Sequence, residues 1–317
     1  MDEHAGPQYL DITVFIMSYN RPSYLREMLI SVLAQTRLPE EVVILDNGSS
    51  NGTKEAVEDL LGPRVRFVGA DHNHQSLWNF YRALSMSERK FLTIVHDDDR
   101  LMPNFLEATV GLMSSDDELI AVSTNGHRID EKGDSIGQNL IPDPPGNVLY
   151  FKDERELAFR TSNNFMPFPN MVYRNGYPQR PKIREEFGKI SDSIFLIDLA
   201  RSGKMAIINE LLYEYRVHGD QDSALLPEDL LQMKEDFILD LFEGRPEYDE
   251  ARDNIRIRQS RRFIGILLHS ILVRKDPRYF FKAFKGCANR HVRLYYIVFF
   301  TILNIKKYFK KLIGPMD

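Results

Sequence analysis

Three consecutive aspartates, Asp97, Asp98 and Asp99, directly follow the apolar segment Phe91 to Val95 and its neighbour His96. An apolar run of this length is typical of a buried strand, so the carboxylates are expected at the carboxyl end of a strand, where open α/β sheets bind ligands. Clustered carboxylates repel one another unless a cation neutralises them, and Mg²⁺ and Mn²⁺ prefer oxygen ligands. The cluster therefore predicts a divalent metal site. The alternative is a solvated acidic loop, since Asp is common in turns and caps.

Strand-like apolar runs alternate with helical patterns on both sides of this cluster, which is typical of a parallel sheet with crossover helices. The predicted strands are Ile12–Met17, Val42–Asp46, Val65–Val68, Phe91–Val95 and Leu119–Ser123. The predicted helices are Tyr24–Gln35, Ser76–Met86, one near Thr53–Leu61 and one from about Pro103. The fold class is therefore α/β, with a Rossmann-like, mostly parallel sheet and a ligand crevice above the strand ends.

Four loops converge on that edge, namely 18–21, 46–49, the segment around Asn73, and the aspartate cluster. Tyr19 can offer an aromatic face to a base, Asp46 can accept hydrogen bonds from a base or ribose, and Arg21 can face phosphate. The alternatives are that Tyr19 packs under the sheet and Asp46 only caps the next helix. Neither G-x-G-x-x-G after the first strand nor G-x-x-x-x-G-K-[ST] occurs, so a metal would neutralise more of any bound phosphate.

Longer motifs carry a family resemblance. The segments DITVFIMSYNRPSYLREMLISVLAQT, EVVILDNGSS, NHQSLWNFYRAL and FLTIVHDDDRLMPNFL follow one another in this order. Downstream, Ser191-Asp192-Ser193 opens ISDSIFLIDLARSGKMAII, and LLYEYRVHGDQDS contains a Tyr-Arg-x-His-Gly segment. In this order and at this spacing, the motifs resemble the family 2 glycosyltransferases with the GT-A fold, over about residues 11–223.

The resemblance implies roles for individual residues. It implies nucleotide binding by Ser18, Tyr19, Asn20, Arg21, Asp46, Asn73, Asp97 and Asp98. It implies a D-x-D role for the aspartates, with Mn²⁺ or Mg²⁺ on the donor diphosphate held by Asp98, Asp99 and His218. Asp192 would be the base that deprotonates the acceptor hydroxyl, in one in-line displacement with inversion. The alternatives are a capping role for Asp192 and a structural role for His218.

Three positions depart from the family pattern. His96 stands where the first acid of the D-x-D-D segment is usual, Asn47 replaces a second Asp, and Gln75 replaces a common glycine. They leave open which two aspartates bind metal. They also leave open a second function, a non-catalytic module of the same fold that binds nucleotide or glycan. The preferred function is transfer of a sugar from a nucleotide donor, with UDP expected, to a glycan or lipid-linked acceptor of the cell surface.

The sequence predicts two regions. Residues 1–223 form the GT-A domain, with a nucleotide-sugar half at about 11–125 and an acceptor half at about 126–223 that includes a loop from Gly126 to Asn147. Residues 224–317 form a helical extension, with helices expected at 227–243 and at about 248–274. Residues 251–317 contain 16 Lys and Arg and three Asp, a net charge of +13, whereas the whole chain carries −5. A basic tail on an acidic body favours contact with an anionic surface.

The apolar segment Leu294–Ile305 in this tail has basic residues at both ends. Twelve residues are too few to span a bilayer, so we expect an interfacial helix within 288–313 on an anionic membrane. The alternatives are docking on the catalytic domain or formation of a homo-oligomer. Nucleic acid is disfavoured because bulky aliphatic residues interleave the basic ones. The single Cys287 and the absence of a secretory signal favour a cytoplasmic protein at the inner face of the membrane.

Overall fold

The computed structural model describes residues 9–74, 76–142, 146–161, 168–176, 181–219 and 228–269. These residues form one mixed sheet of ten strands in the order β3-β2-β1-β4-β9-β6-β10-β5, with β7 beside β6 and β8 beside β10. The strands are β1 Leu10–Ser18, β2 Pro39–Asp46, β3 Val65–Gly69, β4 Phe91–His96, β5 Arg100–Leu101, β6 Leu119–Ile129, β7 Ser135–Asn139, β8 Val148–Phe151, β9 Val172–Arg174 and β10 Lys204–Arg216.

Strands β3, β2, β1 and β4 run parallel to one another. Ser18 of β1 lies opposite Asp46 of β2, and Met17 lies opposite His96 of β4. The middle residues of β1, β2 and β4 are buried, as expected for central parallel strands covered on both faces. This register brings the loops that follow the three strands to one edge of the sheet.

The described residues also form seven α-helices. They are α1 Pro22–Leu33, α2 Ser76–Met86, α3 Phe105–Ser115, α4 Glu154–Thr161, α5 Ser191–Leu199, α6 Glu228–Leu241 and α7 Asp249–His269, with 3₁₀ turns at Glu55–Leu60, Glu185–Ile190 and Pro246–Tyr248. In α1 the buried residues recur with helical spacing at Leu25, Met28, Leu29 and Val32, and Pro22 begins the helix where no N–H partner is needed. The predicted α/β class, a multi-strand sheet flanked by helices, is confirmed.

The second half of the sheet is mixed. Strands β6 and β10 form a long parallel pair, and the short β9 runs antiparallel between β4 and β6. The predicted loop from Gly126 to Asn147 is wrong in part, because Gly126 to Ile129 continue β6 and Ser135–Asn139 form β7. Gly126 lies opposite Tyr213 of β10, and the Tyr213 backbone is too close to leave room for a side chain at position 126. Glycine is therefore used here within a strand and not in a loop. Pro144 and Pro145 of that segment lie outside the described residues.

The chain divides into two compact units, residues 1–230 and 231–317. In the second unit α6 and α7 are joined by Glu235, which is 5% exposed and accepts hydrogen bonds from both terminal nitrogens of Arg262. Gln259 also donates to Asp236 at 3.0 Å. Within the described residues, no helix combines the length and apolarity that crossing a membrane requires. The expected interfacial segment, 288–313, lies outside the described residues, as does the end of the long helix expected at 248–274.

Gly126 gives a test of this packing. A Cβ at Gly126 would lie 2.2 Å from the carbonyl oxygen of Tyr213, so Gly126→Ala forces two paired strands apart and should lower the free energy of unfolding by about 1–3 kcal/mol. The matched control is Gly111→Ala on α3, where a Cβ meets nothing within 4 Å. It should raise the free energy of unfolding by about 0.5–1 kcal/mol, since alanine favours helix. Urea unfolding of both variants checks the opposite signs, and equal effects would contradict this packing.

Candidate functional site at the carboxyl ends of β1, β2 and β4

The loop after β1 is fastened to the loop after β2 through Asn20. Its N–H donates to Ser49 Oγ at 2.8 Å, and its side-chain oxygen accepts from the N–H of Ser50 at 3.0 Å. Its carbonyl accepts from the side chain of Asn51 at 2.8 Å. Asn20 has a φ of 54°, in the left-handed region that asparagine tolerates better than most residues. Asn20 thus joins two loops, and its predicted contact with nucleotide stays a prediction.

The same β1 loop contacts the aspartate cluster. Ser18 is buried, the ring of Tyr19 is 41% exposed, and the N–H of Tyr19 donates to Asp97 Oδ2 at 3.2 Å. One guanidinium nitrogen of Arg21 lies 3.1 Å from Asp97 Oδ1 and 3.1 Å from Asp98 Oδ2. The structure therefore brings together these five residues, all predicted to bind nucleotide.

Asp46 closes the turn that follows β2. Its Oδ2 accepts from the N–H of Gly48 at 3.1 Å and of Ser49 at 2.9 Å, and its Oδ1 accepts from the Ser49 hydroxyl. The side chain thus makes the local contacts of an Asx turn. A carboxylate has about four lone-pair positions, so accepting from a base in addition is chemically compatible with these bonds. That role stays a prediction.

Asn47 explains one departure from the family pattern. Its side-chain nitrogen donates to Asn73 Oδ1 at 2.8 Å and to the carbonyl of His74 at 3.0 Å, while its oxygen accepts from the N–H of His74 at 3.0 Å. An amide both donates and accepts, whereas an ionised carboxylate only accepts. Asparagine at this position therefore fastens the segment around Asn73 to the β2 loop in a way that aspartate could not.

Asp99 is held by the end of β10. It is 1% exposed, and it accepts from the Tyr213 hydroxyl and, at 2.9 Å, from the N–H of Arg216. The guanidinium of Arg216 is fully buried, donates to the carbonyl of Asp98 at 2.7 Å and pairs with Glu27 of α1 at 2.6 Å. These contacts fix the turn that carries the aspartates against two other elements of the first unit.

Burial and mutual repulsion shift the three carboxyl groups apart. Burial raises the pKa of Asp97 to about 6, with a further contribution from the charge of Asp98 and an opposing one from Arg21. Burial and the charge of Asp98 also raise the pKa of Asp99 well above its ordinary value. Burial alone would raise the pKa of Asp98, but His96 and the other cationic groups around it outweigh that effect, so its pKa is lowered. Asp98 is therefore the carboxylate that most readily carries charge.

The donor atoms suit a divalent cation. His96, Asp98 and Asp99 each offer one ligand atom, and these atoms all lie within 4.8 Å of one another. His218, predicted to contact metal, is 9% exposed and its Nε2 lies 2.9 Å from Asp98 Oδ2. The two carboxylates supply oxygen ligands, which Mg²⁺ and Mn²⁺ prefer, so the residues present are compatible with the predicted metal. The ligand assignments stay predictions.

Asp192 lies on a different element, in the first turn of α5. The Ser191 hydroxyl donates to the carbonyls of Arg184 at 2.8 Å and Gly188 at 2.6 Å, which fixes the start of the helix. Asp192 is half-buried and its Oδ1 accepts from the N–H of Ser193 at 2.5 Å. A carboxylate at a helix start is also stabilised by the helix dipole. The predicted role of Asp192 as base stays a prediction.

Sequence reasoning assigned no role to Tyr213, Arg216 or Glu27. Arg216 stood inside the Tyr-Arg-x-His-Gly segment, but its partners lie 117 and 189 positions away along the chain. The sequence signal for Arg216 was an arginine at the end of a mostly apolar strand. A charge that is buried there needs a partner, so the position indicates an ion pair. Sequence alone does not identify that partner.

The chain is similar in sequence to known glycosyltransferases. The family described as "Glycosyl transferase family 2" matches residues 13–177 of the 317. An uncharacterized glycosyltransferase of Haemophilus influenzae is 25% identical over 221 residues, 68% of each chain. The chondroitin synthase of Pasteurella multocida is 24% identical over 67% of this chain, which spans only 21% of that protein. The succinoglycan biosynthesis protein ExoO of Rhizobium meliloti is 23% identical over 71% of this chain and 66% of its own length.

Solved structures share the fold. S. aureus TarS in complex with UDP-GlcNAc superimposes with a TM-score of 0.61 and 16% identity, over 86% of this chain and 79% of that chain. TarS in complex with UDP gives a TM-score of 0.54 over 84% and 74%. The central sheet with flanking helices is therefore of the GT-A type seen in these structures. Together with the family match over more than half of the sequence, this shows that the chain belongs to glycosyl transferase family 2.

Proposed function

We propose that this chain is a metal-dependent, inverting glycosyltransferase that uses a UDP-sugar and extends a glycan or lipid-linked acceptor in cell-surface polysaccharide synthesis. Glycosyl transfer follows from the family. The relatives named chondroitin synthase and succinoglycan biosynthesis protein support a polysaccharide product. The TarS complexes with UDP and UDP-GlcNAc support uridine as the base.

One observation carries the proposal. The ligand atoms of His96, Asp98 and Asp99 lie within 4.8 Å of one another at the end of β4. The exposed ring of Tyr19 follows β1 and the turn closed by Asp46 follows β2, and both strands run parallel to β4 and end at the same edge. The aspartates repel the phosphates of a nucleoside diphosphate whose base lies against Tyr19. Such a ligand fits this site only when a cation lies between the carboxylates and the phosphates.

The proposed reaction is a single displacement. The acceptor hydroxyl oxygen forms a bond to the anomeric carbon while the bond from that carbon to the diphosphate oxygen breaks, and the nucleoside diphosphate leaves with the electron pair. The carboxylate of Asp192 takes the hydroxyl proton. Tyr19, Asp46 and Asn73 orient the nucleotide. Bound Mn²⁺ or Mg²⁺, held by Asp98, Asp99 and His218, would neutralise charge on the departing diphosphate.

A second candidate, a non-catalytic nucleotide or glycan module, is favoured by Arg21. Its guanidinium lies 3.1 Å from both Asp97 and Asp98 and so neutralises part of the cluster without a metal. Such a module would bind UDP and release none from a UDP-sugar. Turnover distinguishes the two functions.

Substitution of the proposed ligand and base tests turnover. We expect Asp98→Asn and Asp192→Asn each to lower Mn²⁺-dependent release of UDP from UDP-sugars by at least about 100-fold, because each removes a charge that acts in the transition state. UDP release is measured over a panel of UDP-sugars with and without glycan acceptors. The matched control is Asp59→Asn, an exposed partner of Arg26, which should retain wild-type rates. UDP binding by the wild-type protein without release from any donor would establish the module instead.

Asp97 predicts a pH dependence of stability. Its pKa of about 6 in the folded protein lies above the ordinary 3.8, so its contribution to stability is complete below about pH 4 and is lost as the pH rises through 6. Without divalent cation, the free energy of unfolding of the wild type should fall by about 3 kcal/mol relative to Asp97→Asn between about pH 4 and pH 8. Urea unfolding in EDTA across this range measures the difference.

Two further measurements complete this test. Asp59→Asn is the control, since a hydrogen bond from Arg26 lowers the pKa of Asp59 and the wild type should show no such loss against this variant. Addition of Mn²⁺ and UDP should reduce the Asp97→Asn difference at about pH 8, because a bound cation favours the ionised carboxyl. A difference that stays constant with pH would contradict the burial argument.

We also propose that the protein is cytoplasmic and binds peripherally to the inner face of the membrane through its basic tail. The net charge of +13 in residues 251–317 and the apolar segment Leu294–Ile305 support this interaction. A homo-oligomer through the same segment is the competing arrangement.

Vesicle binding tests the tail. The full chain should co-sediment with vesicles containing phosphatidylglycerol but only weakly with pure phosphatidylcholine, and substitution of Lys306, Lys307, Lys310 and Lys311 by Gln should reduce binding at least about tenfold, since each basic residue near the surface contributes about 1 kcal/mol. The matched control replaces four exposed lysines of the first unit, Lys54, Lys132, Lys152 and Lys182. An equal loss of vesicle binding in both variants would overturn the membrane proposal. A protein that dimerises with rising concentration but does not bind vesicles would also overturn it.

A further inference from the structure

A second cluster of metal-ligating side chains lies in the turn between β3 and α2. Asp71, His72 and His74 each offer one ligand atom, and these atoms all lie within 4.8 Å of one another. Asp71 Oδ1 lies 2.8 Å from His72 Nδ1 and 3.4 Å from His74 Nε2. The two imidazole rings are 4.0 Å apart between centroids. One carboxylate oxygen therefore faces a nitrogen of each ring.

The backbone that carries this cluster is held in place by the β2 loop. Asn47 bonds to both the N–H and the carbonyl of His74. Gly48 lies so close to His72 that a Cβ there would approach its backbone carbon to 2.5 Å. The ring of His74 also stacks on Trp78 at 3.8 Å with an interplanar angle of 16°. The position of His74 is thus fixed from both sides before any ion binds.

The exposure of the three side chains differs from that of the β4 cluster. Asp71 is 83% and His72 65% exposed at the side chain, and His74 is 25% exposed. An ion here would keep positions open to water, as three-ligand zinc sites do. Two imidazoles and one carboxylate select borderline ions of the zinc, nickel and copper class, whereas Mg²⁺ and Mn²⁺ prefer oxygen-rich sites.

We propose that Asp71, His72 and His74 form a second metal site, selective for divalent transition ions of the zinc, nickel and copper class and separate from the aspartate cluster at the end of β4. It binds without nucleotide and without catalytic turnover. Because Asn47 and Gly48 join this turn to the β2 loop, an ion bound here would also make the loop that contains Asp46 more rigid.

The chain supplies its own reporter, since Trp78 is the only tryptophan and stacks on a proposed ligand. Titration of the full-length, metal-free protein with Ni²⁺ should quench tryptophan fluorescence in a saturable manner with one-site behaviour. Excess Zn²⁺ should displace Ni²⁺ and restore the emission, whereas Mg²⁺ should not. His72→Ala and Asp71→Ala change exposed positions and leave the rings of His74 and Trp78 in place. Each should weaken Ni²⁺ binding and so raise the half-saturating Ni²⁺ concentration at least about tenfold.

The matched control is His96→Ala, which removes an imidazole from the other cluster and should leave the quenching unchanged. Circular dichroism of each variant in EDTA verifies that the fold is retained. Quenching that rises linearly with Ni²⁺, or that is the same in Asp71→Ala and His72→Ala as in the wild type, would overturn the proposal. Loss of quenching in His96→Ala alone would also overturn it, by assigning the ion to the aspartate cluster.

Discussion

The buried guanidinium of Arg216 is the interaction on which the arrangement of the site depends. It pairs with Glu27 of α1 and donates to the carbonyl of Asp98, while the N–H of the same residue donates to Asp99. The guanidinium is fully buried whereas the Glu27 side chain is 39% exposed, so removing Glu27 would take a carboxylate away from a buried positive charge, which is unfavourable. Because Arg216 ends β10, one side chain fixes the relative positions of a helix, a strand and the turn that carries the carboxylates.

Two arginines contact the aspartate turn in different ways. Arg216 is fully buried and acts mainly on the backbone of the turn, whereas the side chain of Arg21 is 31% exposed and contacts the carboxylates of Asp97 and Asp98 directly. Both carboxylates are themselves buried, at 2% and 9% exposure, so displacing Arg21 is costly unless another cation takes its place. Arg216 therefore holds the turn, and Arg21 lies on the partly exposed side that an incoming cation or phosphate would meet.

The sequence was sufficient where local pattern decides structure. The runs Ile12–Met17 and Phe91–Val95 became β1 and β4, and their continuous burial is typical of parallel strands covered on both faces. It was insufficient where a residue depends on distant partners. Gly126 resembled a loop residue, but the backbone of Tyr213 requires glycine there. The three-residue β9 is too short for any periodic signal, and its antiparallel insertion is set by its neighbours β4 and β6.

Asn47 connects the unusual features of the crevice. The Asn47 amide holds His74 by two bonds and Asn73 by a third, so Asn47 joins the β2 loop to the β3–α2 turn that carries the histidines. A carboxylate at position 47 would face the carbonyl of His74 and repel it. The edge of the sheet thus carries a carboxylate-rich cluster after β4 and an imidazole-rich cluster after β3, with β1 and β2 between these two strands, and the donor chemistry of the two clusters would favour different ions.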